Sequence, residues 1–336
     1  YGIYNLNEGV LALSGWYPLL AVHDENGWNL DPVSAIGDSV YSDTALYEVK
    51  ITLPDGYLLA ATGIPLSETQ QDRLVQYRYA SGPVRDFFLI LGKKYRLLST
   101  QVANVAVNSY YLPGHEAAGQ AALEITAETL RIFNRRFGEY PYSELDVVAA
   151  PMRAALGVEY PGIFLVSERL YDDIEDPSFV VATAHETAHQ WWYSVVGNDV
   201  FEHPWLDEAL TTYTSGLYYQ EAVAEQAYQG LEEYWLQRYQ GLVSNGEDQP
   251  IDETLAYFEG LPNPGVYGGI VYSKGALFFA ALREEVGDQV FFAALQDYYA
   301  AHRYAIAEPE DLLAAFEHAS GSSLTDFYQD WLTLVE

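Results

Sequence analysis

His185 and His189 stand four residues apart in His185-Glu186-Thr187-Ala188-His189. On a helix that spacing stacks two side chains on one face, one turn apart. Two imidazoles so placed can both reach a zinc ion at about 2.0–2.1 Å. Glu186, beside the first imidazole, is positioned to reach a water held by such an ion. A catalytic zinc needs a third protein ligand and an open position. Glu208 is the candidate, with 18 residues between it and His189, and it opens the next expected helix in Trp205-Leu206-Asp207-Glu208-Ala209-Leu210. Histidines at this spacing also occur on ordinary helix surfaces, and an acidic residue in a first helical turn is commonly only a partner for the helix dipole. The three residues taken together favour the metal.

HETAHQWWYSVVGND followed by PWLDEAL resembles the zinc aminopeptidases of the gluzincin clan, the alanyl aminopeptidase and leukotriene-A hydrolase group. The similarity runs from near Gly2 to about Trp331. It implies His185, His189 and Glu208 as ligands of one zinc ion and Glu186 as general base. Leu156-Gly157-Val158-Glu159-Tyr160 resembles the group's Gly-x-Met-Glu-Asn stretch, with Leu156, Val158 and Tyr160 replacing the glycine, methionine and asparagine. That resemblance gives Glu159 the substrate's free α-amino group, which suits a carboxylate. Val271-Tyr272-Ser273-Lys274-Gly275 resembles Tyr-x-Lys-Gly and implies Tyr272 as the donor to the oxyanion. Tyr272 stands out only through those neighbours, because the chain has 29 tyrosines.

The fold the resemblance implies is α+β: an amino-terminal antiparallel β domain (a partial saddle), then a mostly helical, thermolysin-like zinc peptidase domain. The boundary is expected near Leu112, giving domains 1–112 and 113–336. The β domain is expected to be truncated at its start, so a further amine-binding side chain from that region cannot be placed. The family's frequent carboxy-terminal helical-repeat domain is also expected to be missing, and the shortened β domain would leave the cleft more open, loosening the preference for short peptides. The implied activity is removal of the amino-terminal residue from peptides with a free amino terminus, by metal-activated water attack. Two alternatives stand. A thermolysin-like endopeptidase would share the zinc residues and differ at Glu159. A non-catalytic zinc-fold binding protein would need neither Glu186 nor Tyr272.

The elements that must position these residues follow from periodicity. Ala45–Leu53 alternates apolar and polar and ends at the turn Pro54-Asp55-Gly56. Tyr57–Thr62, Leu74–Ala80, Asp86–Leu91 and Gln101–Val107 are the next expected strands. A helix is expected over Glu116–Phe137, where Leu123, Ala127, Leu130, Phe133 and Phe137 make one apolar face ended by Gly138. Two short strands, Leu145–Ala149 and Ile163–Ser167, flank the Glu159 segment. Asp176-Pro177-Ser178 starts a helix, expected to run to Gly197. Further helices are expected at Leu206–Ala224, Ser273–Val286, Val290–Ala301, Pro309–Ala319 and Leu324–Leu334. The stretch Asn245–Gly269, rich in Gly, Pro and Asn, is expected to be a loop over something functional.

Acidic residues outnumber basic ones 48 to 16, for a formal charge of −32. That excludes nucleic acid as a partner and suits a cationic amino terminus or a metal. Cysteine is absent, which excludes disulfides, a thiolate nucleophile and a cysteine-bound metal. No membrane span is expected. The first residue is Tyr1 and the single methionine is Met152, so a natural start is expected to lie upstream. The missing start, absent cysteines and acidic charge lean towards an extracellular or cell-surface location.

Overall fold

The computed structural model describes residues 4–24, 27–30 and 32–333, so Gly2 and Leu334 lie outside the described residues. In chain order the strands are β1 (Tyr4–Asn7), β2 (Val10–Leu13), β3 (His23–Asp24), β4 (Gly27–Trp28), β5 (Glu48–Pro54), β6 (Leu58–Ala61) and β7 (Ile64–Gln71). They continue with β8 (Leu74–Ala80), β9 (Leu89–Gly92), β10 (Arg96–Val102), β11 (Val105–Tyr111), β12 (Glu144–Ala150), β13 (Gly157–Tyr160) and β14 (Ile163–Ser167). The helices are α1 (Glu116–Arg136), α2 (Pro177–Ala188), α3 (Trp205–Tyr218), α4 (Glu225–Asn245), α5 (Leu255–Glu259) and α6 (Gly265–Tyr267). They end with α7 (Gly275–Val286), α8 (Asp288–Ala301), α9 (Pro309–Ser320) and α10 (Thr325–Leu332). Antiparallel sheets therefore come first and helices follow, as the α+β reading requires.

The chain forms two compact units: Tyr1–Ala21, Ser42–Arg131 and Tyr140–Gln190 in one, and Val22–Tyr41, Ile132–Glu139 and Trp191–Glu336 in the other. The first unit carries three sheets, with strand orders β5-β8-β7, β1-β2-β9-β6 and β10-β11-β12-β14-β13. Side-chain alternation layers them. In the four-stranded sheet Leu59, Ala61, Leu89 and Leu91 pack with Leu53 and Tyr79 of the three-stranded sheet. The opposite face sends Val10, Ala60, Phe88 and Ile90 into a second core with Val148, Ala150, Ile163 and Leu165 of the five-stranded sheet. In that sheet β11, β12 and β14 run parallel, while β10 and β13 pair antiparallel at its edges.

Among the described residues the regular structure of the second unit is helical, with the short antiparallel pair β3–β4 beside it. Its core holds Trp205, Tyr213, Phe278, Phe279 and Phe291, all fully buried. Gly265–Val286 is one continuous helical stretch, with a π-helical segment at Gly268–Lys274 between α6 and α7. By length and composition alone it is apolar enough to cross a membrane, and 67% of its most apolar window is buried inside the protein.

Candidate metal centre

Helix α2 begins as its sequence dictates. Asp176 Oδ1 accepts from the Ser178 amide at 2.8 Å, and Pro177 occupies the first turn. Thr183 and Thr187, fully buried, return their hydroxyls to the carbonyls of Phe179 and Thr183 at 2.7 Å each. The helix stops at Ala188 rather than at Gly197, and His189 is its cap residue. Beyond it the chain turns: Tyr193 takes a positive φ of 104° and Trp192 bridges to Val196. Trp191 and Trp192 are buried in the core and lie past the helix end.

His185 and His189 still share a face. Their Nε2 atoms lie 3.1 Å apart, close enough for both to meet one ion at zinc–nitrogen distance. Glu186 and His189 are buried. Strand β13 brings Glu159 to them through its register. Val158 and Tyr160 face the apolar core, with Tyr160 stacked on Phe88 at 3.9 Å. Gly157 and Glu159 therefore point to the other face, where α2 packs. One ligand atom each from Glu159, Glu186 and His189 falls within 4.8 Å of the others. A β-carbon on Gly157 would collide with the Glu186 side chain, so a larger residue there would push that carboxylate aside. The donor set, imidazole nitrogens with carboxylates and no thiolate, suits zinc.

In the second unit Glu208 sits in the first turn of α3, buried, with its own amide bonded to Asp207 Oδ1 at 2.8 Å. The Tyr272 hydroxyl donates to Glu208 Oε1. Burial, and then the negative charge of Glu208, hold the Tyr272 phenol well above 10, so it stays protonated and able to donate. Gly275 allows this approach, because a β-carbon there would collide with Ala209 Cβ. His203, which the ligand set does not need, pairs its Nδ1 with Asp252 Oδ1 at 2.7 Å. Thr212, one turn after Glu208, is buried.

Sequence reading missed Gln190. Fully buried, it accepts from the Gly162 amide at 2.9 Å and donates to the Tyr160 carbonyl at 3.1 Å, pinning the β13–β14 turn to the end of α2. Its place directly after the second imidazole was the available signal. It also missed Asp38, whose charge acts on Tyr272 and Tyr267, and for which no pattern pointed the way.

Residues 121–331 match the Peptidase family M1 domain. The chain is 27% identical over 301 residues to "Aminopeptidase M1" of Arabidopsis thaliana, covering 85% of this chain and 34% of that protein. It is 29% identical over 261 residues to "Aminopeptidase 2, mitochondrial" of Saccharomyces cerevisiae, covering 74% of this chain and 27% of that protein. It thus spans about a third of the length of the curated relatives it matches. A crystal structure of an M1 zinc metallopeptidase mutant from Deinococcus radiodurans, bound to a Tyr-Ser-Ala substrate, superposes with a TM-score of 0.76 at 22% identity. That match covers 99% of this chain and 72% of the other, and shows the shared fold. With its family match extending over well more than half its length, this chain belongs to peptidase family M1.

Proposed function

We propose that the protein is a zinc-dependent aminopeptidase, with one zinc held by His185, His189 and Glu208. When bound, the ion would polarise the scissile carbonyl and acidify a water. Glu186 takes the proton from the attacking water and returns it to the leaving amine. Tyr272 donates a hydrogen bond to the oxygen on which charge develops. Glu159 receives the terminal ammonium, which fixes one residue ahead of the cut. The observation that carries this reading is the placement of Glu159 beside Glu186 and His189. Zinc and a base alone would suit an endopeptidase; a third buried carboxylate beside them supplies a receptor for a cationic chain end.

The test is one peptide offered with a free and with an acetylated amino terminus, together with metal analysis. Rapid cleavage of the free form only, lost on chelation and restored by zinc, is expected. Glu159→Ala should raise KM for the free form at least tenfold, an ammonium–carboxylate contact being worth about 1.5–3 kcal/mol. Equal cleavage of both forms would indicate an endopeptidase, and full zinc occupancy without cleavage a binding protein.

Two structural readings accompany this one. We take the catalytic portion to begin near residue 113, since the family match begins at residue 121. First cleavage by a protease far from this point, releasing a stable fragment, would move the boundary. We take Gly265–Val286 to be a core helix because it is mostly buried; partition of the folded chain into detergent would overturn that.

A further inference from the structure

Tyr272 lies in a π-helical turn, and such a turn is one residue wider than the α-helix on either side. Sliding back by one residue would rotate every side chain in it by about 100°. The Tyr272 hydroxyl would then leave Glu208. Something must hold the register. Lys274, two residues on, is 4% exposed, and its Nζ donates to Asp248 Oδ1 and to the Gln249 carbonyl, both at 2.9 Å. The other Asp248 oxygen accepts from the Tyr239 hydroxyl at 3.1 Å, and the Lys274 ammonium lies 5.2 Å from the Tyr239 ring centroid. The Lys274 and Asp248 side chains keep only 5% and 2% of their exposure. An ion pair this far from water is costly, and a pair of apolar side chains would fill the space as well. What the charges add is a fixed geometry. They tie the π-helical turn to the chain just after α4, and to α4 itself through Tyr239.

We propose that Lys274, Asp248 and Tyr239 form a positioning anchor that holds the π-helical turn in the register presenting the Tyr272 hydroxyl at Glu208. The proposal rests on the reading of Tyr272 as oxyanion donor, and it makes Lys274 a positioning residue with no contact to substrate. It also explains why a lysine follows the tyrosine by two residues.

The test uses the full zinc-loaded chain and alanine p-nitroanilide. Lys274→Met strands the Asp248 charge, so both Tm and kcat should fall. Adding Asp248→Leu removes that charge and should return Tm close to its starting value, while kcat stays about ten- to a hundredfold low with KM and zinc content unchanged. Lys274→Arg keeps the charge but cannot place one nitrogen between Asp248 and the Gln249 carbonyl; it should lower kcat without lowering Tm. Combined with Tyr272→Phe, the Lys274→Met/Asp248→Leu pair should cost nothing further, since both act through one hydroxyl. A double variant or a Lys274→Arg variant with full kcat would overturn the anchor. So would losses that add to those of Tyr272→Phe. Full kcat in Tyr272→Phe itself would instead remove the role given to Tyr272.

Discussion

The three-stranded sheet and the five-stranded sheet of the first unit are built on opposite terms. In β7 every residue is exposed, and β5 alternates until Leu53 enters the core. In β12, Leu145–Ala150 are all buried, and in β14 every residue is. In the first sheet β5 and β8 meet water on one face and show the period of two; in the second the inner strands β12 and β14 are covered on both faces and show none, while the edge strand β10 is largely exposed. Of the two, the second carries the proposed amine receptor, Glu159 on its edge strand β13. That carboxylate lies where the chain has already excluded water, held rather than merely displayed.

Three substitutions would break or sharpen that contrast. Phe164→Ala in β14, fully buried, should cost about 3–5 kcal/mol in denaturant unfolding. A cost below 1 kcal/mol would mean the covered sheet is no better packed than the wetted one.

Asp86, ahead of β9, tests burial itself. It is 1% exposed, neither oxygen has a hydrogen-bond partner among the described residues, and loss of water pushes its pKa up from 3.8 to about 7. The folded state therefore keeps a proton that the unfolded chain releases, and stability falls as pH rises from about 4 to about 7. Asp86→Asn should remove that slope, a gain of up to about 4 kcal/mol at pH 8 and none at pH 4. Parallel stability–pH curves for the two proteins would refute it.

The smallest effect belongs to the wetted sheet. Arg78 pairs with Glu48 across β5 and β8, both exposed. Arg78→Ala should change stability by less than about 1 kcal/mol, and less still in high salt.

How legible each region is in the sequence follows from the same contrast. Strand β8 matches its expected bounds, because Leu74–Ala80 alternates. Helix α1 ends one residue short of the expected Phe137, since its apolar face has a clear helical period. Strand β7 went unread: it opens with Ile64-Pro65 and turns polar with no face to bury. Gln101–Val107 is two strands, not one, because the turn at Ala103-Asn104 uses a positive φ at Ala103 and has no glycine to announce it. Helix α4 was missed as well, since only Tyr228, Trp235, Tyr239 and Leu242 of its residues are buried. Within Asn245–Gly269 the chain forms the short helices α5 and α6. The apolar run after His189 kept a helical period, so the stop at Ala188 was hidden in backbone angles.

At the site, the spacing of His185, Glu186 and His189 was readable from side-chain chemistry alone. Glu159 and Tyr272, the proposed amine receptor and oxyanion donor, are pointed to only by the family resemblance. Which face of β13 the carboxylate takes depends on pairing with β14, and register is a tertiary property. The same holds for Lys274, whose partner Asp248 is 26 residues away.

Gln190 grips both ends of the β13–β14 turn from the residue next to His189. The strand that carries Glu159 is thereby fastened to the residue that follows the cap of α2. The proposed receptor for a chain end and the proposed base beside the histidines thus share one support, which would set the length that such a gauge measures.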